Sequence, residues 1–135
     1  MNYKEADAAI KKYFAEQWNN ATIVAYDDVK FTPPNGQTWV RVNIAFADGY
    51  QASTGAPGAN KFRKEGIVTV SVFHPDGHAG IEAMQTADLV MNVFEAKPRI
   101  EGILFKDVRA VNVGPDGSGW YQINIKAEFQ FDTNK

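Results

Sequence analysis

At 135 residues, with 44% hydrophobic and 22% charged residues, the chain has the size and make-up of one folded domain, able to bury about two-thirds of its unfolded surface. A formal net charge of −2 gives no basic footprint for a nucleic-acid backbone. The absence of cysteine removes disulfide scaffolding, thiolate catalysis and the commonest structural zinc sites together. The apolar runs are too short to span a bilayer and Met1-Asn2-Tyr3-Lys4-Glu5 lacks the layout of a signal peptide, so a soluble, unexported protein is expected, with no membrane partner and no direct sequence-specific nucleic-acid contact. The sequon Asn20-Ala21-Thr22 is then a chance occurrence.

From Asn2 to Trp18, Tyr3, Ala6, Ile10, Tyr13, Phe14 and Trp18 follow the spacing of an amphipathic helix, with Asn2 and Glu5 as a capping box and Asn19-Asn20 as its end. One or two brief strands are expected over Thr22–Tyr26 and Val29–Phe31, before Pro33-Pro34-Asn35-Gly36 breaks the chain. Trp39–Ala47 alternates as a half-buried strand, with Val40, Val42, Ile44 and Phe46 on one face and Arg41, Asn43 and Ala45 on the other. Residues 48–63 then form a long Gly-rich loop, carrying Gly49, Gly55, Pro57 and Gly58, and loops of this length in compact domains tend to be functional. Glu65–Phe73 is a second long strand, closed by His74-Pro75-Asp76-Gly77.

A second helix is expected over Ala79–Ala96, with Ile81, Met84, Ala87, Val90, Met91 and Phe94 as its apolar stripe and Pro98 marking its end. Val108–Val113 and Trp120–Phe131 form a C-terminal β-hairpin around the turn Gly114–Gly119. In its second strand Tyr121, Ile123, Ile125, Ala127, Phe129 and Phe131 face one way, and Trp120, Gln122, Asn124, Lys126, Glu128 and Gln130 the other. This order predicts a single α+β domain over residues 1–135, a mainly antiparallel sheet with two helices packed on one face.

The chemical motifs have simpler explanations. Gly55-Ala56-Pro57-Gly58-Ala59-Asn60-Lys61 lacks the glycine before the lysine, the Ser or Thr after it and the following helix that a phosphate loop requires. Gly114, Gly117 and Gly119 sit in a hairpin turn, where no dinucleotide is cradled. His74, Asp76 and His78 offer three metal ligands in a tight loop, but without further ligands they read as the turn into a helix, with Asp76 or His78 near its N-cap. Asp27 with Asp28, and Glu101 with Asp107, read as solvated surface charge. No catalytic residue, cofactor or metal is expected.

What remains is surface. Trp39 and Trp120 begin strands on the face opposite the aliphatic one, which would expose two large aromatics and favour self-association. Lys61, Arg63 and Lys64 close the long loop beside Glu65, either as a solvated loop end or as a docking contact.

The segments Phe14-x-x-x-Trp18, Ile23-Val24-Ala25-Tyr26, Phe31-Thr32-Pro33-Pro34-Asn35-Gly36 and Trp39-Val40-Arg41-Val42 together resemble the small tail terminator, or tail-completion, proteins of long-tailed bacteriophages. The loop near Gly55 and Gly58, the strand Gly66-Ile67-Val68-Thr69-Val70, the turn Pro75-Asp76-Gly77 and the terminal hairpin follow in that family's order. The resemblance implies an α+β monomer, a homo-oligomeric ring, a hexamer, that ends tube growth and offers a surface for head attachment, and no enzymatic activity. Its implied partners are other copies of itself, the tail tube protein and a head-tail connector protein, in the virion tail after assembly in the host cytoplasm. A ring joins unlike patches of neighbouring subunits, and Trp39, Arg41, Tyr50, Gln51, Lys61, Arg63 and Trp120 are the candidate contact residues. The alternatives are a head-tail connector or other tail subunit and, from a different class, a small-ligand-binding α+β domain. The last needs polar groups pointing inward, chiefly Thr69 and Ser71.

Overall fold

The structure is a computed structural model that describes residues 1–27, 29–78 and 80–135. Helix α1 spans Tyr3–Trp18. The Asn2 side chain accepts from the Glu5 amide at 2.8 Å and the Glu5 carboxylate accepts from the Asn2 amide at 3.1 Å, so the predicted capping box satisfies two donors that the helix cannot. The helix stops at Asn19 and Asn20, both left-handed with φ of 48° and 59°, a geometry that asparagine tolerates better than most residues. Its buried stripe is Ala6, Ala9, Ile10, Phe14 and Trp18.

Six strands follow: β1 Ile23–Tyr26, β2 Trp39–Phe46, β3 Tyr50–Gln51, β4 Lys61–Pro75, β5 Leu104–Pro115 and β6 Trp120–Asn134, with helix α2 at Ile81–Phe94 between β4 and β5. They form one sheet in the order β1-β2-β4-β6-β5, with β3 paired to the start of β4. The long strands β4 and β6 are antiparallel and in register from Lys61 against Asn134 to Pro75 against Trp120. The predicted alternation in β6 appears in its burial, with Ile123, Ile125, Ala127, Phe129 and Phe131 buried beneath the helices. Both helices pack on that face, so the α+β reading holds.

Three features differ from expectation. β1 pairs with β2 in parallel, Ile23 against Trp39 through Tyr26 against Val42, because residues 29–38 carry the chain back along the sheet before β2 begins. Val29–Phe31 lies in that crossing and forms no strand. The 48–63 segment is partly ladder: Tyr50 pairs with Arg63 and Gln51 with Phe62, and only residues 52–60 form the tip of an arm. In α2 the buried stripe is Ala83, Ala87, Val90, Val93 and Phe94, whereas Ile81 and Met84, expected inside, are exposed. None of the described helices is long and apolar enough to cross a membrane.

The core is a nest of phenylalanines, in which Phe14, Phe94, Phe105, Phe129 and Phe131 meet across α1, α2, β5 and β6. Gly66, opposite Phe129, makes room for it. A Cβ there would stand 2.5 Å from Phe129 Cζ and 2.6 Å from the Ala45 carbonyl oxygen, and that backbone cannot yield cheaply. Gly66→Val is therefore expected to cost about 1–3 kcal/mol or more, read as a lower urea midpoint at unchanged slope.

Candidate functional site

The sequence-derived contact residues separate into two groups at opposite ends of the sheet's outer face. From Phe73 to Arg63 along β4 is about 33 Å at the strand rise of about 3.3 Å per residue. At the first end stands Trp39. Its ring stacks on Phe73, its cross-strand partner, at 4.2 Å, meets Trp120 edge-on at 5.9 Å and is covered by Phe31 at 4.8 Å. Trp39 is thus only 3% exposed, against the expectation of an open aromatic. The cause is the 29–38 crossing, which lays Phe31 over the outer face. Trp39 Nε1 is buried without a hydrogen-bond partner, so its indole is held through its ring and not through its N–H. Trp120 is half-buried, and Arg41, whose guanidinium lies 5.3 Å from the Trp39 ring, is exposed.

The second group lies on the arm. Tyr50 is 53% exposed, and Gln51 and Lys61 are also exposed. The tip is ordered by its own bonds: Asn60 Oδ1 accepts from the Ala56 amide, the Ala56 carbonyl from the Ala59 amide, and Ser53 Oγ from the Lys61 amide. These three amides, which a phosphate loop would present to an anion, are therefore already used. Arg63 is not a free cation. Its Nε and Nη2 donate to the two Asp132 carboxylate oxygens at 2.9 and 3.2 Å, a fork that holds Arg63 protonated and draws the Asp132 carboxyl below its ordinary range. Glu65, expected beside the lysine and arginine group, pairs with Lys106 at 3.5 Å, and Lys64 lies over the Tyr3 ring.

Between the two ends the outer face is a half-buried polar strip of Thr69, Ser71, Gln122, Asn124, Lys126 and Glu128, edged by Arg109 in contact with Asp107 and Glu128. Thr69 and Ser71 thus point away from the helices, and no described polar or charged residue is buried in the core. Asp27 is held by Lys11 and Asp107 by Arg109, and Asp28 lies outside the described residues. Asp76 spends its carboxylate on the Gly77 amide, and the α2 N-cap is Gly80, with no side-chain cap; neither Asp76 nor His78 fills that position.

The sequence matches the phage tail terminator protein family over residues 5–129, nearly its whole length. The chain belongs to that family. A solved structure 21% identical in sequence superposes with a TM-score of 0.71 over 100% of this chain and 99% of the other, a likeness of fold. No curated protein matches the sequence. Family membership gives the chain a structural role in the phage tail, in contact with other tail or head proteins.

One exposed apolar patch escaped sequence reasoning. Ile81, Met84 and Leu89 are 63%, 42% and 54% exposed and fall within an arc of about 140° on the outward side of α2 at 100° per residue. The available signal was an excess: α2 carries more apolar side chains than a single buried stripe can use.

Two outcomes follow from this geometry. Trp39→Ala is expected to cost roughly 3–5 kcal/mol of stability, whereas Arg41→Ala costs about 0.5–1 kcal/mol, both by chemical denaturation. Because the Asp132 pKa is lowered on folding, its contribution is complete above the unfolded value of about 3.9 and is lost as pH falls through the lower folded value. Asp132→Asn should therefore lose less stability than the wild type between about pH 6 and pH 3.

Proposed function

We propose that copies of this chain close into a ring on the end of the tail tube, where the ring ends tube polymerisation and presents the surface to which the head attaches. The observation that carries this reading is the family match across residues 5–129. Six copies per ring follow from the family resemblance. The partners are then the tail tube protein on one side and a head-tail connector protein on the other, with the subunit made in the host cytoplasm and retained in the virion tail.

The surface supports it. A ring needs two unlike patches on each subunit, and the chain offers two on separate elements. One is the arm with Tyr50, Gln51 and Lys61 at its base; the other is the outward face of α2 with Ile81, Met84 and Leu89. Arg41 and Trp120 edge the outer sheet face. Trp39 acts from beneath, holding that face in shape, and Arg63 holds the arm to β6 through Asp132.

Electron microscopy of particles from a phage lacking this chain tests the role. Overlong tails are the expected result. Normal tails beside separate, full heads would move the chain to a connector station, and normal particles would overturn both readings. Complementation with Leu89→Glu, confirmed as folded by circular dichroism, should leave tails overlong.

A further inference from the structure

The two histidines gain a third partner in the fold. His74 is the inward-facing residue at the end of β4, paired in register with Tyr121, and its side chain is only 13% exposed. Its Nε2 meets Glu82 Oε2 in the first turn of α2, and the same carboxylate oxygen lies 4.0 Å from His78 Nδ1. The two imidazole rings stand edge-on with centroids 5.2 Å apart. One donor atom from each of the three residues falls within 4.8 Å of the others. Asp76, the sequence's own candidate for a third ligand, points elsewhere.

We propose that His74, His78 and Glu82 form a binding site for a divalent transition-metal ion of the zinc class. The donor set is two imidazole nitrogens and one carboxylate oxygen, which suits zinc, cobalt or nickel, whereas magnesium and calcium take oxygen donors. His74 is prepared for the role. Its Nδ1 is hydrogen-bonded to Thr38 Oγ1, just ahead of β2, and in the tautomer in which that nitrogen is the donor Nε2 is left unprotonated and free to ligate an ion. An outer hydrogen bond of this kind is how ligating histidines are held in one tautomer and orientation.

Bond lengths of about 2.0–2.2 Å around a tetrahedral ion place its ligand atoms about 3.4 Å apart. To reach that spacing His78 has to draw in and the Glu82 carboxylate has to back away from His74 Nε2, adjustments that both side chains are able to supply, since they are about half exposed, 52% and 53%. His74 is the fixed member. Three protein ligands leave a fourth position open to solvent, filled by water. The ion would tie the end of β4 to the first turn of α2, a helix start with no side-chain cap of its own.

The test uses the full chain, stripped with a chelator and titrated with zinc chloride alone. One zinc per chain by calorimetry is expected, with the melting temperature raised by about 5–10 °C at a hundredfold excess over Kd. Cobalt should give visible absorption of tetrahedral form, and magnesium should give no shift. His78→Ala and Glu82→Gln, both at half-exposed positions where folding is preserved, should each weaken zinc binding at least tenfold. Thr38→Val should weaken it about ten- to a hundredfold through the orientation of His74. Absence of a zinc-dependent shift in the wild type would overturn the site. So would wild-type affinity in both the His78 and Glu82 variants, which would place bound zinc elsewhere.

Discussion

The pairing of β4 with β6 is the constraint on which the rest of the molecule depends. Both strands are 15 residues long, and their register runs without a break from one end of the sheet to the other. A strand's side chains alternate between faces, so this one register settles which residues every other element meets. It sends Val68, Val70 and Val72 inward with Ile123, Ile125 and Phe129, where α1 and α2 cover them. It sends Thr69, Ser71, Asn124 and Lys126 outward to water. A slip of one residue would exchange the two sets, burying amides and a lysine beneath the helices. The edges are handled differently. β5 carries irregularities between Phe105 and Val108 and between Asn112 and Gly114, with Lys106, Asp107 and Arg109 exposed along it, features that discourage unwanted strand addition.

The same register explains why the outer face is not uniformly wet. Phe73 and Trp39 are cross-strand partners, so the two rings stack, and Trp120 stands at the matching end of β6. Such a cluster would be open were it not for the parallel placement of β1. Reaching a parallel neighbour obliges the chain to travel back along the sheet, and residues 29–38 bring Phe31 down on Trp39 as they do so. A topological requirement and an aromatic cap are therefore one feature.

Much of this was legible in the sequence, and the part that was not has a common cause. The α1 capping box is a local pattern and was read as it stands. The β6 alternation is also local. Trp39 was placed on the correct face, but its burial depends on Phe31, and nothing near either residue announces their meeting. Helix α2 misled through composition, because Ile81, Met84 and Leu89 supply apolar spacing on the side that no other element covers. Arg63 looked like a free cation at a loop end; its partner Asp132 lies on a strand whose pairing with β4 only the fold supplies. His74 and Glu82 likewise come from different elements, so their contact was outside any motif.

Isolated apolar residues on a surface need no explanation, but three on the outward arc of one helix are a different matter. They favour a covered state, and no other described element of the sheet or helices reaches that side. In the proposed ring the arm is the counterpart. It projects from the opposite half of the chain's order, is bonded internally at its tip and anchored at its base by the Arg63–Asp132 fork, and so presents a fixed shape, not a floppy one. Two preformed, unlike surfaces on a rigid sheet are what a repeating head-to-tail contact requires. In the proposed ring such a contact closes on itself, with the unbroken β4–β6 ladder running between the two patches.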